Sequence, residues 1–207
     1  MTLDFGSLLA QDPLAIIAVL VWSIYFSLTV ARLVLKWRLN DFRSLGTRGA
    51  YLALLGLWIV IGLSLFLTIP FESLQKISLP LFAPLVGLIF ILAALHLSKH
   101  AYHALGLSRA AFFYSIDMKT KDIGKKQIVM QYPFNIIRHP VYLGQVLFML
   151  GLFLGLGHVL LLWAAALSVF VNVATIIPEE RELRERFGSS YERYASRVQY
   201  RLIPFIH

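Results

Sequence analysis

Cysteine is absent from the 207-residue chain, which excludes disulfides, thiolate metal sites and a cysteine nucleophile, and leaves the redox compartment unreadable. Charge is scarce as well: 14% of the residues are Asp, Glu, Lys or Arg, against roughly 25% in an ordinary soluble domain. Acidic residues are the scarcer sign, 11 against 19 basic ones, for a formal net charge of +8. The remainder is largely apolar, 58% of the chain, and it falls in uncharged stretches long enough to cross a bilayer, which takes about 20 residues of helix.

Five such stretches occur, at 14–35, 50–69, 80–98, 140–157 and 159–177. They predict an all-α membrane protein with five transmembrane helices. The last two are separated by little more than Gly157 and His158, so they form a helical hairpin over 140–177. The first 13 residues hold Asp4 and Asp12 but no Lys or Arg, the wrong sign for a secretory signal, so the first span is expected to remain in the protein. Basic residues gather from Arg32 to Arg48, from Lys99 to Arg138 and from Arg181 to Arg201, leaving Lys76 alone for the other side. The positive-inside rule then sets the N-terminus outside and the C-terminus in the cytoplasm. A net charge of this size can indicate nucleic-acid binding, but basic residues confined to one membrane face read as topology, and no nucleic-acid partner is expected.

Between spans three and four lies a basic segment that contains Ala110, Ala111, Phe112, Phe113 and Tyr114. Such an apolar-aromatic patch argues against a disordered linker, and residues 104–137 are expected to fold back as a cytoplasmic lid. After span five, Leu183, Phe187, Tyr191, Tyr194 and Val198 make an apolar stripe, which predicts an interfacial C-terminal helix over 178–207. Residues 1–103 read as a three-span scaffold, and 104–207 as the functional region.

His96, His100 and His103 share one helical face. That spacing suits metal ligands, yet the histidine boxes of membrane di-iron enzymes need more histidines than the six present. They are read as interfacial residues near a helix end, and no metal is expected. Gly151, Gly155 and Gly157 lack the strand that a dinucleotide fingerprint requires; in a membrane hairpin they serve the turn and close helix packing.

The strongest signal joins two distant segments. Arg138-His139-Pro140-Val141-Tyr142 opens span four, with Pro140 at a first helical turn where its missing N–H costs nothing. Glu179 and Glu180 close span five, and the hairpin brings both ends side by side. Ionisable groups at a membrane boundary are expensive unless used or solvated. An ion pair of Arg138 with Glu180 that only anchors the hairpin is the plainer alternative to a binding site.

Over residues 104–205 these pieces, with Leu105-Gly106, Leu183, Phe187-Gly188, Tyr191, Tyr194, Val198, Arg201 and Pro204, resemble the isoprenylcysteine carboxyl methyltransferase-like and phospholipid methyltransferase superfamily of integral membrane enzymes. The resemblance implies an S-adenosylmethionine-dependent methyltransferase acting at the cytoplasmic interface on a lipophilic acceptor. That acceptor is a prenylcysteine-like carboxylate, a lipid amine or a thiol. The implied cofactor-binding residues are Lys126, Gln127, Ile128, Val129, Phe134, Arg138, His139, Pro140, Val141, Tyr142, Glu179 and Glu180. Arg138, His139 and the helix dipole suit the cofactor's carboxylate, Glu179 its ammonium or ribose diol, and aromatic rings such as Tyr142 and Phe134 its sulfonium.

Two departures stand out. Phe134 falls where the family usually has a tyrosine, and Thr175 falls where carboxyl-methylating relatives carry an arginine. Asn172 and Thr175 are the polar groups at the substrate position, and no residue is assigned a catalytic role. The alternatives are a nicotinamide enzyme akin to the membrane sterol reductases, whose C-terminal architecture is similar, and a non-catalytic scaffold of the same fold.

Overall fold

The computed structural model describes residues 12–37, scattered helical positions between 49 and 60, and residues 75–105 and 128–202. Most of span two, most of the lid including its aromatic patch, and Lys126 and Gln127 lie outside the described residues. Helix α1 runs Pro13–Trp37, α2 Ala83–Leu105, α3 Pro140–Leu156, α4 Val159–Phe187 and α5 Ser189–Arg197. No strand occurs among the described residues; Lys76 and His158 form an isolated bridge.

Local chemistry accounts for most boundaries. The Asp12 carboxylate accepts from the Leu14 amide at 3.1 Å, with Pro13 opening α1, a capping residue followed by a ring that needs no amide donor. Pro140 opens α3 for the same reason. At the other end of α3, Gly157 takes φ +74° and its amide donates to the Phe153 carbonyl, the left-handed closure that glycine adopts without a Cβ penalty. Helix α2 continues past the expected span to Leu105, carrying His96, His100 and His103 in its last turns, where basic groups suit the negative end of the dipole.

The C-terminal region departs from expectation. In place of a break at 178 and one interfacial helix beyond, α4 continues through Pro178 to Phe187, and Gly188 at φ +51° turns the chain into the nine-residue α5. A proline ring removes one i→i−4 bond, but the helix is tied on both sides of that point, at Asn172 and at Glu179 and Glu180, and does not stop. Residues 198–200 leave helical geometry altogether.

Helices α2 and α3 pack through their smallest residues. A Cβ placed on Gly87 lies 2.6 Å from the Gly151 carbonyl oxygen, and one on Gly151 lies 2.7 Å from that of Gly87. A Cβ on Gly144 would lie 2.9 Å from the Ser98 hydroxyl oxygen and 3.3 Å from the Ala94 carbonyl oxygen. Helix α4 packs against both α1 and α3. Leu85, Leu88, Ile89 and Leu92 of α2, and Trp163, Phe170, Val173 and Ile177 of α4, stay exposed. Among the described residues these two helices are long and apolar enough to cross a membrane.

At one end of the bundle Asp12 meets Lys76 at 3.0 Å and the buried His158 at 3.5 Å, while the Ile77 amide donates to Gly157 and the Val159 amide to Gln75. The start of α1, the segment before α2 and the hairpin turn therefore converge.

The glycine contacts separate two adjacent substitutions. Gly151→Ala is expected to lower unfolding stability in detergent by about 1–3 kcal/mol through overpacking against α2. Gly155→Ala, where nothing lies within 4 Å of the added carbon, is expected to be neutral or to gain about 0.5–1 kcal/mol of helix propensity. Equal effects would disprove the close α2–α3 contact.

Candidate functional site

The hairpin sets the first turn of α3 beside the C-terminal third of α4. The Tyr142 hydroxyl donates to Glu179 Oε2, and its ring stacks on His139 with centroids 5.4 Å apart and planes within 5°. One residue further along α4, Glu180 turns into the protein. It is 2% exposed and is ringed by basic side chains: Arg138 Nη1 at 2.7 Å, Arg184 Nη2 at 3.4 Å, Arg201 Nε at 3.5 Å and the His139 ring nitrogen at 3.6 Å.

Burial by itself pushes the Glu180 carboxyl up, but the His139 contact and the charges of Arg138, His139 and Arg201 overcome it and hold the group down to about 2. The same cluster acts on α5. Burial, and then the Glu180 charge, push the Tyr191 hydroxyl up to about 12 against the opposing pull of Arg138, so it keeps its proton at neutral pH. Burial raises the Tyr194 hydroxyl further.

A strap from the C-terminal segment closes over the mouth of α3. The Arg138 amide donates to Tyr200, the His139 amide to Arg201, both at 2.9 Å, and Arg138 Nη2 donates to the Gln199 carbonyl at 3.1 Å. Pro140 has no N–H, so the amides nearest the mouth are occupied by protein, and the positive corner is built from side chains instead of backbone donors.

Other expected site residues gather here too. Phe134 is buried, and its carbonyl accepts from the Tyr194 hydroxyl at 2.9 Å. Ile128 packs on Tyr191, Tyr194 and Val198, with Val129 next to it in the chain. Val141 packs against the cluster of Tyr142, Ile176 and Leu202. Asn172 and Thr175 are fully buried in α4: Asn172 Nδ2 donates to the Tyr142 carbonyl at 3.5 Å, and the Thr175 hydroxyl donates to the Val171 carbonyl of its own helix at 2.7 Å. The arginine partners Arg184 and Arg201 were not legible as site residues. Arg184 stands four residues after Glu180, the spacing of a helical ion pair, whereas Arg201, though among the residues that carry the family resemblance, has no local spacing that ties it to Glu180. The rings of His96 and His100 contact each other and Tyr132. Among the described residues no group of three or more side chains is placed to hold a metal ion.

Comparison with known families matches residues 82–190, just over half of the chain, to phospholipid methyltransferase. The chain belongs to the phospholipid methyltransferase family. The match takes in α2, α3, α4 and both glutamates, and leaves α1 and most of α5 outside. Membership makes this a membrane protein of a methyltransferase family. A further similarity is to Delta(14)-sterol reductase TM7SF2 of Mus musculus, 27% identical over 84 residues, which is 40% of this chain and 20% of that protein. The chain thus spans about a fifth of that relative's length. No solved structure gives a significant match.

The ion cluster predicts an acid transition. A carboxylate held at about 2 in the folded protein, against 4.5 ordinarily, adds stability that is fully present above the unfolded value and is lost as pH falls from about 4.5 towards 2. The loss is expected to be roughly 3 kcal/mol. Glu180→Gln should be destabilised at pH 7, since it breaks a buried pair, and its stability should change less over that window. A variant that follows the wild-type acid curve would show that another group is titrating.

Proposed function

We propose that this protein is an S-adenosylmethionine-dependent integral membrane methyltransferase acting on a lipophilic acceptor. The observation that carries the reading is the joining of the two helix ends: Tyr142 to Glu179, and Arg138 with His139 to Glu180. A zwitterion with a carboxylate, an ammonium, a sulfonium and a ribose diol needs cationic, acidic and aromatic groups within one small region. Arg138 and His139, Glu179, and the stacked rings of His139 and Tyr142 supply all three. The His139 Nε2 and Arg138 Nε atoms, buried without a well-aligned hydrogen bond, fit a polar occupant. The residues proposed to hold the cofactor are Arg138, His139, Pro140, Val141, Tyr142, Glu179 and Glu180, with Phe134 and the segment Lys126 to Val129.

When bound, the cofactor supplies a methyl group already activated on a sulfonium. The chain's own contribution is positioning and exclusion of water. The Tyr142 hydroxyl orients the Glu179 carboxylate, Asn172 ties the Tyr142 backbone to α4, and the strap from Gln199 to Arg201 holds the start of α3. No Arg or Lys occurs between 159 and 177, and the Thr175 hydroxyl is committed to its own helix. A neutral amine or thiol on a lipid suits that lining better than a carboxylate. The exposed apolar faces of α2 and α4 suit an acceptor arriving sideways from the bilayer.

In this reading residues 1–103 are a scaffold and 104–207 carry the enzyme. Five spans place the N-terminus outside and the site at the cytoplasmic face, in keeping with Asp12, Lys76 and His158 meeting at the end away from Glu180. The sterol reductase similarity favours a second reading, a nicotinamide enzyme, whose cofactor phosphates would require further cations.

Purified protein titrated with S-adenosylhomocysteine and with a reduced nicotinamide dinucleotide separates the two. Stabilisation by S-adenosylhomocysteine is expected, with Glu179→Ala and Tyr142→Phe each weakening it about tenfold or more and His139→Ala weakening it without unfolding the protein. Stabilisation by the nicotinamide alone would overturn the methyltransferase reading.

A further inference from the structure

Tyr142, Tyr191 and Tyr194 are all buried around the mouth of α3. Two of their hydroxyls have evident acceptors, Glu179 for Tyr142 and the Phe134 carbonyl for Tyr194. The third does not. Tyr191 is 1% exposed and its hydroxyl, which faces the Arg138 guanidinium, has no acceptor for its proton, although a buried tyrosine ordinarily finds one.

Its neighbours are in the same condition. Arg138 Nε, His139 Nε2 and Glu180 Oε1 are likewise buried without a well-aligned hydrogen bond; Glu180 Oε1 lies 2.7 Å from Arg138 Nη1 and 3.6 Å from His139 Nε2. Buried polar groups in native proteins are nearly always satisfied, and an exception calls for a missing ligand, ion or water. The group that answers these atoms must accept from Arg138 Nε, which can only donate, and from a protonated tyrosine. An adjoining donor would meet Glu180. Three arginines and a histidine against the single carboxylate of Glu180 make the acceptor side anionic.

The position of Tyr191 is well determined. The turn at Gly188 accepts its amide at 3.0 Å, its ring packs on Tyr194, Leu183, Phe187 and Val198, and the Arg184 guanidinium lies 5.7 Å over that ring. Arg184 and Arg201, 42% and 53% exposed, stand on the solvent side of Glu180, so a ligand group would enter by displacing these two side chains.

We propose that the Tyr191 hydroxyl is a binding group for the carboxylate of the cofactor's amino-acid end, acting with Arg138 Nε and His139 Nε2. The inference rests on the S-adenosylmethionine reading and adds to the site Tyr191 of α5, which lies one residue past the matched region. Arg138 links the two helices to this hydroxyl, so α5 becomes part of the cofactor pocket as well as a cover for it.

The test is Tyr191→Phe in the full chain, which removes one oxygen and keeps the ring packing. Binding is measured with S-adenosylhomocysteine and with 5′-methylthioadenosine, which has the same nucleoside and thioether but neither carboxylate nor ammonium. A charge-assisted hydrogen bond of ordinary strength predicts a tenfold to hundredfold loss of S-adenosylhomocysteine affinity. Methylthioadenosine affinity should be unchanged, and the melting temperature unchanged or raised. Unaltered S-adenosylhomocysteine affinity, with a trapped water serving the hydroxyl, would overturn the proposal and leave the cofactor reading intact. Equal losses for both ligands would overturn it too, by showing a purely structural role. Absence of S-adenosylhomocysteine binding by the wild type would remove the cofactor reading itself, and this proposal with it.

Discussion

The Glu180 carboxylate organises everything at its end of the bundle. It is a single negative charge taken almost wholly out of water, and such a charge is tolerable only when paired. Its partners come from three separate pieces of chain: Arg138 and His139 before α3, Arg184 one turn further along α4, and Arg201 in the strap. Without the carboxylate the guanidinium of Arg138, itself nearly buried, loses its counter-charge. The last turns of α4 then lose the charge that joins them to the strap and the first turn of α3, which stay bonded to each other through Arg138 and His139.

That constraint frees the adjacent residue. Neighbours on a helix point about 100° apart, so when Glu180 faces the cations Glu179 cannot, and it meets the Tyr142 hydroxyl instead. Two glutamates in sequence therefore make different contacts, Glu180 joining three pieces of chain and Glu179 meeting Tyr142. The site inherits its precision from that anchoring. Asn172 and the His139–Tyr142 stack extend it across the α3–α4 junction, and α5 seals the far side with Tyr191 and Tyr194.

The rest of the membrane region works by close approach. Lipid offers little hydrophobic gain for bringing one apolar helix against another, so association depends on contact at short range. Gly87 and Gly151 let the backbones of α2 and α3 meet, and α3 is the helix whose first turn carries the site. At the opposite end the Asp12, Lys76 and His158 contacts close the bundle, so the hairpin is held by polar groups at both extremities and by glycine contacts between them.

Much of this was legible in the residues alone. Scarce charge and long apolar runs determine a helical membrane protein, because a chain that cannot hydrogen-bond to lipid must satisfy its backbone internally. Pro140 and Gly157 determine where α3 begins and ends, since one lacks a donor and the other tolerates positive φ, and the short turn obliges Arg138–Tyr142 to meet Glu179–Glu180. The extent of α4 was not legible, because proline usually marks a boundary and only packing on both sides of Pro178 carries the helix through. Tertiary structure alone decided which glutamate faces the cations, that Arg201 returns to join them, and that Tyr191 lies beside Arg138. Sequence periodicity states which residues share a face of a helix, but which neighbour that face meets depends on the rotation and depth of each helix in the bundle, set by contacts far apart in the chain.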